Sequence, residues 1–297
     1  MKFALFLGCQ IPVRLKQYET SSRAILERCG VGLVDIEEFN CCGYPLRNIE
    51  FKAFLLSSAR NLALAEKKKL NVMALCKCCY GSLKKADYLL KENASLRKEV
   101  NQILEKEGLR YEGGVEVKHY LPVLYHEVGL TSIKEKVKKP FKGLKIATHY
   151  GCHALRPSQI VRFDDPVSPS LFDQLVEVTG AESIAWPMKL ECCGAPLWGI
   201  HDELSTDLTL KKLKNGRESG ADYVCTACTY CQIQFDTVQK KIIAQRGVNH
   251  PLPSILYPQL LGLSLGIDRE ILGLKMNQIP SSGIEKLLIE PIVLPGG

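Results

Sequence analysis

No apolar stretch in this 297-residue chain reaches the roughly 18–20 residues needed to cross a bilayer. The longest candidate, Pro253 to Ile267, is interrupted by Pro258 and Gly262. Several catalytic signatures are also missing: there is no P-loop, no HExxH and no G-x-S-x-G. Gly30-Val-Gly32 is too short for a dinucleotide turn, and it falls between an expected helix and an expected strand, the reverse of the required order. The chain therefore has no motif of its own for a flavin, a nicotinamide or a nucleoside triphosphate. Asp164-Asp165 precedes Pro166 and reads as a turn and helix-start signal, not an acid/base pair.

The N-terminal apolar run before Cys9 is too short for a secretory signal. Its counterpart is KIATHYGC at 145–152, so both runs are expected to be core strands, and the chain is expected in the cytoplasm. Apolar residues make up 46% and charged residues 24%, as in ordinary soluble globular domains, and the length allows one large or two medium cores. The net charge of +7 is spread out. Its densest run, Lys134 to Lys145, reads as a solvated linker; only Phe141 is interleaved for base stacking, so no nucleic-acid partner is expected.

What the chain has in excess is cysteine, thirteen in all. Ten fall into two copies of one pattern: Cys9, Cys41-Cys42, Cys76 and Cys79, then Cys152, Cys192-Cys193, Cys228 and Cys231. Cys-Cys-Gly-Tyr-Pro-Leu at 41–46 is answered by Cys-Cys-Gly-Ala-Pro-Leu at 192–197, and Gly8 and Gly151 precede the opening cysteines. Cys29, Cys78 and Cys225 lie opposite Thr179, Tyr230 and Met73. Cys29 and Cys225 therefore read as small core hydrophobes. Cys78 sits inside the first C-x-x-C, and the choice there between Cys76, Cys78 and Cys79 stays open, with Cys76 and Cys79 favoured because both have partners in the second copy.

In a reducing cytosol such cysteine density points to metal or redox chemistry rather than disulfides. Soft thiolates select zinc, copper(I) or iron–sulfur clusters. Five repeated thiols exceed what one structural zinc needs, and they exceed the four of an ordinary cubane. The reading is an iron–sulfur cluster at each set, with zinc in at least one half as the alternative. Gly43 and Gly194 are expected to let the backbone turn sharply beside a bulky group, and Pro45 and Pro196 to stiffen the exit.

Strands alternate with helices in both halves, which argues for a parallel α/β fold of two pseudo-symmetric repeats, residues 1–140 and 141–297. The opening cysteines and the C-x-x-C pairs follow expected strands, so each set can gather at strand carboxyl ends. Residues 80–140 have no counterpart in the second repeat and read as mostly helical with turns. A helix is expected over Ser254 to Leu265 and another near Asp268 to Leu274.

A lone Cys, then Cys-Cys-Gly, then C-x-x-C, present twice, resembles the CCG-domain family, above all the catalytic B subunits of heterodisulfide reductases. Tyr150-Gly-Cys-His-Ala-Leu-Arg-Pro157, Gln232 to Asp236 and Tyr257 to Gly266 match in kind. The family places about 31–39 residues before the pair and 35–36 after it. Here the gaps are 31 and 39 before, and a slightly short 33 and 34 after. The resemblance implies two non-cubane [4Fe-4S] clusters, each held by its five cysteines, with a disulfide substrate between them cleaved so that one sulfur goes to each. It implies a catalytic component of a complex that is fed by a ferredoxin-like iron–sulfur subunit and a flavoprotein, and that acts on a small-molecule or protein-bound disulfide. His153 is the candidate proton donor or acceptor, ahead of His149 and Lys189, and it could equally orient the loop. Alternatives within the family are a sulfur-oxidising heterodisulfide-reductase-like complex and an electron-transfer subunit of a succinate/fumarate or 2-hydroxy-acid oxidoreductase. An alternative of another class is a zinc-binding structural subunit.

Overall fold

The structure is a computed structural model, and it describes residues 1–281 and 283–289. The end of the expected second repeat, 290–297, lies outside the described residues, as does residue 282. Two four-stranded, all-parallel sheets make the framework. In the first, β1 (Lys2–Phe6), β2 (Gly32–Val34), β3 (Val72–Ala74) and β4 (Val117–His119) lie in the order β2-β1-β3-β4. In the second, β5 (Lys145–Thr148), β6 (Glu182–Ser183), β7 (Tyr223–Thr226) and β8 (Ser254–Leu256) lie in the order β6-β5-β7-β8. Registers repeat as well: Ala4 faces Val34 and Val72, while Ile146 faces Ser183 and Tyr223.

The inner strands are short and almost wholly buried, as parallel strands covered on both faces must be. Around them pack α1 (Lys16–Arg28), α2 (Phe51–Lys67), α3 (Lys77–Glu92), α4 (Ala94–Leu104), α5 (Leu171–Glu177) and α6 (Asp202–Glu218). The helix after the second C-x-x-C runs Thr229–Ile233, widens over Gln234–Val238 and closes as Gln239–Arg246. The Gln232-to-Asp236 segment braces this helix. Gln232 bridges Thr226 and Ser254, Gln234 donates to Ser205 and Thr209, and Asp236 accepts from the backbone N–H groups of Gln278 and Ile279.

Two expectations change. Residues 80–140 do hold a counterpart to the second repeat: β4 leads into Tyr120 as β8 leads into Tyr257, each closing its sheet beside β3 or β7. The expected helix over 254–265 is therefore a strand, Ser254–Leu256, followed by the helix α7, Tyr257–Ser264. A three-residue strand spans too little chain for its period to register, and Pro258 marks a helix start rather than its interior. Phe141 is 3% exposed, and its N–H donates to Thr179, so the basic segment offers no aromatic for stacking. Asp164 and Asp165 accept from backbone N–H groups over Val167 to Leu171, as a turn and helix start require.

A run of buried aromatics crosses between the two sheets. Tyr18 lies 6.3 Å from Tyr120, Tyr120 lies 6.4 Å from Tyr257, and Tyr257 lies 5.6 Å from Phe172. The Tyr18 hydroxyl donates to the Leu75 carbonyl at 2.6 Å, one residue before Cys76, and the Tyr257 hydroxyl donates to Leu175 at 2.9 Å. Truncation to Tyr257→Ala is expected to cost about 3–5 kcal/mol through the cavity left behind. Tyr257→Phe, which only strands the Leu175 carbonyl, should cost about 1–3 kcal/mol. Denaturant unfolding of the two variants checks the ranking; equal losses would contradict a packing role for the ring.

Candidate metal centre

Each sheet changes direction once. The chain leaves β1 for β2 on one side and then crosses to β3 on the other; β5, β6 and β7 do the same. Ligand crevices form at such switch points, at strand carboxyl ends. Cys9 lies three residues past β1 and Cys76 two past β3; Cys152 lies four past β5 and Cys228 two past β7. The Cys-Cys-Gly turns enter from the loops after β2 and β6.

Both turns have the same geometry. Gly43 has φ +78° and Gly194 φ +90°, values that favour glycine, and each leads into a 3-10 turn holding Pro45 or Pro196. The Gly43 N–H donates to Cys41 Sγ at 3.4 Å, and the Gly194 N–H donates to Cys192 Sγ at 3.4 Å. Helix hydroxyls hold the pair from behind: Ser58 donates to the Cys42 carbonyl at 2.7 Å, and Thr209 to the Cys193 carbonyl at 3.1 Å. Space for a β-carbon is absent, since one on Gly194 would sit 2.6 Å from the Ser205 carbonyl and one on Gly43 2.9 Å from the Phe54 carbonyl.

The thiols also repeat electrically. Hydrogen bonds from Cys42 and Cys9 hold Cys41 far below the ordinary thiol range, and bonds from Cys152 and Cys193 do the same for Cys192. As donors to these thiolates, Cys42 and Cys193 are each raised to about 12. Cys231 Sγ lies 3.5 Å from Cys193 Sγ, and Cys79 pairs with Cys42 in the same way. Cys29, raised to about 11 by burial, and Cys225, also raised by burial, stand outside both sets.

Cys9, Cys41, Cys42, Cys76 and Cys79 line one small cavity. Cys152, Cys193, Cys228 and Cys231 line a second, equally tight one. Cys192 joins the second through Cys152 and Cys193. The two sets meet: Cys76 Sγ of the first lies 3.9 Å from Cys228 Sγ of the second. Cys78 lies in the second cavity, 3.9 Å from Cys228 Sγ and 3.6 Å from His153 Nδ1. Tyr44 and Tyr230, 5.4 Å apart, line both cavities and form the wall between them.

His153 Nδ1 is 3.4 Å from Cys152 Sγ, and its Nε2 is 3.4 Å from an Arg47 guanidinium nitrogen. Arginine only donates, so Nε2 accepts and the neutral ring carries its proton on Nδ1, toward the sulfurs. Burial first, and Arg47 second, push the His153 pKa down to about 4. His149 is buried with Nε2 3.2 Å from Cys231 Sγ. Lys189 pairs instead with Asp173 at 2.6 Å, which keeps it on the Tyr150 side.

Four features escaped the sequence reading. Lys77 and Lys212 are 1% and 0% exposed and border the second set; Arg47 orients His153; and Tyr44 packs on Tyr230. Only Lys77 carried a signal, its place inside a C-x-x-C. Lys212 is one lysine in a helix rich in polar residues, and nothing in the pattern separates it from its exposed neighbours.

Ten thiols in two converging sets, at the switch points of a twice-built parallel sheet, define a cysteine-rich protein of the metal-binding class. Residues 3–84 and 146–236 each match the CCG cysteine-rich domain. The chain is 35% identical to the B subunit of the ferredoxin:CoB-CoM heterodisulfide reductase of Methanosarcina mazei, over 94% of each chain. It is 34% identical to a heterodisulfide reductase B-subunit-like protein of Archaeoglobus profundus, over 91% of this chain and 92% of that one. To the 8-methylmenaquinol:fumarate reductase membrane anchor subunit of Wolinella succinogenes it is 33% identical, over 95% and 98%. In fold it is similar to a crystal structure of a hypothetical protein from Helicobacter pylori, with TM-score 0.76 and 19% identity. That match covers 95% of this chain, which spans about half (52%) of the other. The chain belongs to the CCG cysteine-rich domain family. Among the described residues, no helix is long and apolar enough to cross a membrane.

The turn geometry is directly testable. Gly194→Ala forces a β-carbon into the Ser205 carbonyl at a left-handed φ, a strain of about 1–3 kcal/mol. The variant should unfold earlier and bind less metal at the second set, while the first set keeps its full load. Metal analysis beside denaturant unfolding checks this, and full metal content in Gly194→Ala would contradict it.

Proposed function

We propose that the chain is the catalytic iron–sulfur component of a heterodisulfide reductase-type complex. The family and the relatives support an iron–sulfur electron-transfer subunit of the oxidoreductase kind. Each set would hold one [4Fe-4S] cluster of the non-cubane type, on Cys9, Cys41, Cys42, Cys76 and Cys79, and on Cys152, Cys192, Cys193, Cys228 and Cys231. The observation that carries it is the meeting of the two sets, with Cys76 and Cys228 in sulfur contact at 3.9 Å. Two isolated structural metal sites would have no need to converge.

The donor set fits such groups: soft, largely buried thiolates, with ammonium rather than carboxylate groups in the wall. Bound clusters would supply one-electron transfer and soft iron sites for sulfur. The overall change is then a disulfide plus two electrons and two protons giving two thiols, or its reverse. The electrons belong to a ferredoxin-like partner protein served by a flavoprotein, since no nucleotide motif is present here. His153 holds a proton at Nδ1 toward the sulfurs, and Arg47 keeps it there by occupying Nε2. Tyr44 stacks edge-on against His153, ring centroids 4.9 Å apart, and limits water at the seam. Gly81 leaves room for the turn that carries His153: a β-carbon there would lie 2.8 Å from the His153 carbonyl. We place residues 1–140 and 141–297 as the two repeats, and the protein in the cytoplasm.

Two further readings have an observation behind them. A 33% identical relative is named as a fumarate reductase subunit, so the same frame could serve electron transfer without a disulfide. His149, Cys193 and Cys231 bring three donor atoms within 4.8 Å of one another, a set that would suit zinc. Anaerobic purification with iron, sulfide and zinc analysis separates the readings. About eight irons per chain are expected from two four-iron groups, falling by about half in Cys41→Ser or Cys192→Ser. Stoichiometric zinc with no brown chromophore would overturn the cluster reading. A spectroscopic change on adding thiol to oxidised protein would favour disulfide chemistry, and its absence would favour simple electron transfer.

A further inference from the structure

Resting on the reading of both sets as cluster sites, we infer that the two are electrostatically unequal: buried Lys77 and Lys212 make the second set, around Cys193 and Cys231, the more readily reduced. Lys77 and Lys212 are the only buried lysine or arginine residues among those described. Neither ammonium has a carboxylate within ion-pairing distance among the described residues. Lys77 Nζ donates to the His149 carbonyl at 3.4 Å; Lys212 Nζ donates to the carbonyls of Met188 and, at 2.9 Å, Glu191. The rest of their surroundings is aromatic. Lys77 Nζ lies 4.6 Å from the centre of the Phe172 ring, 5.7 Å from Phe163 and 5.8 Å from Tyr150, and Lys212 Nζ lies 4.8 Å from Trp186.

A buried charge without a counter-charge is unfavourable, and ring faces and carbonyl dipoles offset only part of that cost. The groups that supply most of the remainder are cysteines of the second set, Cys228 and Cys231 for Lys77 and Cys193 and Cys231 for Lys212, with Glu191 adding to Lys212 and Cys225 and Cys76 adding to Lys77. Lys77 belongs to the first half, yet its side chain crosses the seam. It lines the second cavity with Cys193, Cys228 and Cys231, and its Cδ approaches Gly151 beside Cys231.

The equivalent positions in the other half are neutral. Thr229 stands where the repeat would repeat Lys77, and it lines the first cavity. Asn61 stands where it would repeat Lys212, and it spends its amide on the carbonyls of Cys41 and Ser57 and the side chain of Asn40. Two matched positions therefore carry two positive charges that act chiefly on the second set, Cys76 being the first-set sulfur that also feels Lys77. Reduction adds negative charge to whatever the thiolates hold, so fixed cations in a dry wall favour the reduced state there.

Lys77 and Lys212 are positioning residues, and the test reads potentials rather than turnover. The full chain, purified anaerobically with its iron counted, is titrated with redox mediators and followed by electron paramagnetic resonance. Two midpoint potentials are expected, the higher one lost in Cys192→Ser and kept in Cys41→Ser. Lys77→Met and Lys212→Met should each shift the higher potential downward and leave the lower one in place, and Lys77→Arg should restore it. A higher potential that disappears with Cys41→Ser instead overturns the inference from the unsubstituted lysines alone, whatever the lysine variants do. Lysine variants that keep their iron and move neither potential, or move both equally, also overturn it. Absence of iron from the unaltered chain overturns the cluster reading itself, and the inference falls with it.

Discussion

The 3.9 Å contact between Cys76 and Cys228 is the constraint on which the arrangement turns. A thiol at a strand end is unremarked in a parallel sheet. Two such ends brought into sulfur contact from separate sheets require that the sheets face each other by their carboxyl edges. That requirement sets the aromatic bridge from Tyr18 to Phe172, the tight approach of α3 to the Cys152 turn at Gly81, and the burial of both C-x-x-C segments. The same contact joins two separate thiol sets across a shared wall, made by Tyr44 from one repeat and Tyr230 from the other.

The duplication is faithful where geometry matters and broken where chemistry differs. Gly43 and Gly194, the N–H bonds to Cys41 and Cys192, and the paired Cys42–Cys79 and Cys193–Cys231 contacts are near copies. The breaks cluster at the seam. Tyr44 faces the place of Ala195, Cys78 the place of Tyr230, Lys77 the place of Thr229 and Lys212 the place of Asn61. Every one of these exchanges alters the size or charge of the second cavity or the wall between the cavities.

Much of the framework was legible before any coordinates. The β1 and β5 runs and the placing of cysteines after strands follow from apolar patterning and from glycine and proline punctuation. The misreadings fall on β4 and β8. Val117–His119 is three residues long with a lysine at its centre, and Ser254–Leu256 runs without a break into helix-compatible residues. Such strands exist because β3 and β7 offer them a hydrogen-bonded edge, which is a tertiary fact. Arg47 was likewise invisible, since nothing local ties it to a histidine more than a hundred residues away.

By itself, the sequence determined the repeat, the ten thiols and the soft-metal character of the protein, because spacing and residue type are properties of the chain alone. It also set Cys29 and Cys225 apart, by the simple absence of partners at equivalent positions. Tertiary structure alone decided that the two sets share a wall and that Cys78 leans into the second cavity. It decided too that two lysines lie buried with no ion-paired carboxylate among the described residues. The reason is physical: sulfur contacts and desolvated charge depend on which surfaces are removed from water together, and that is settled only when the two sheets close on each other.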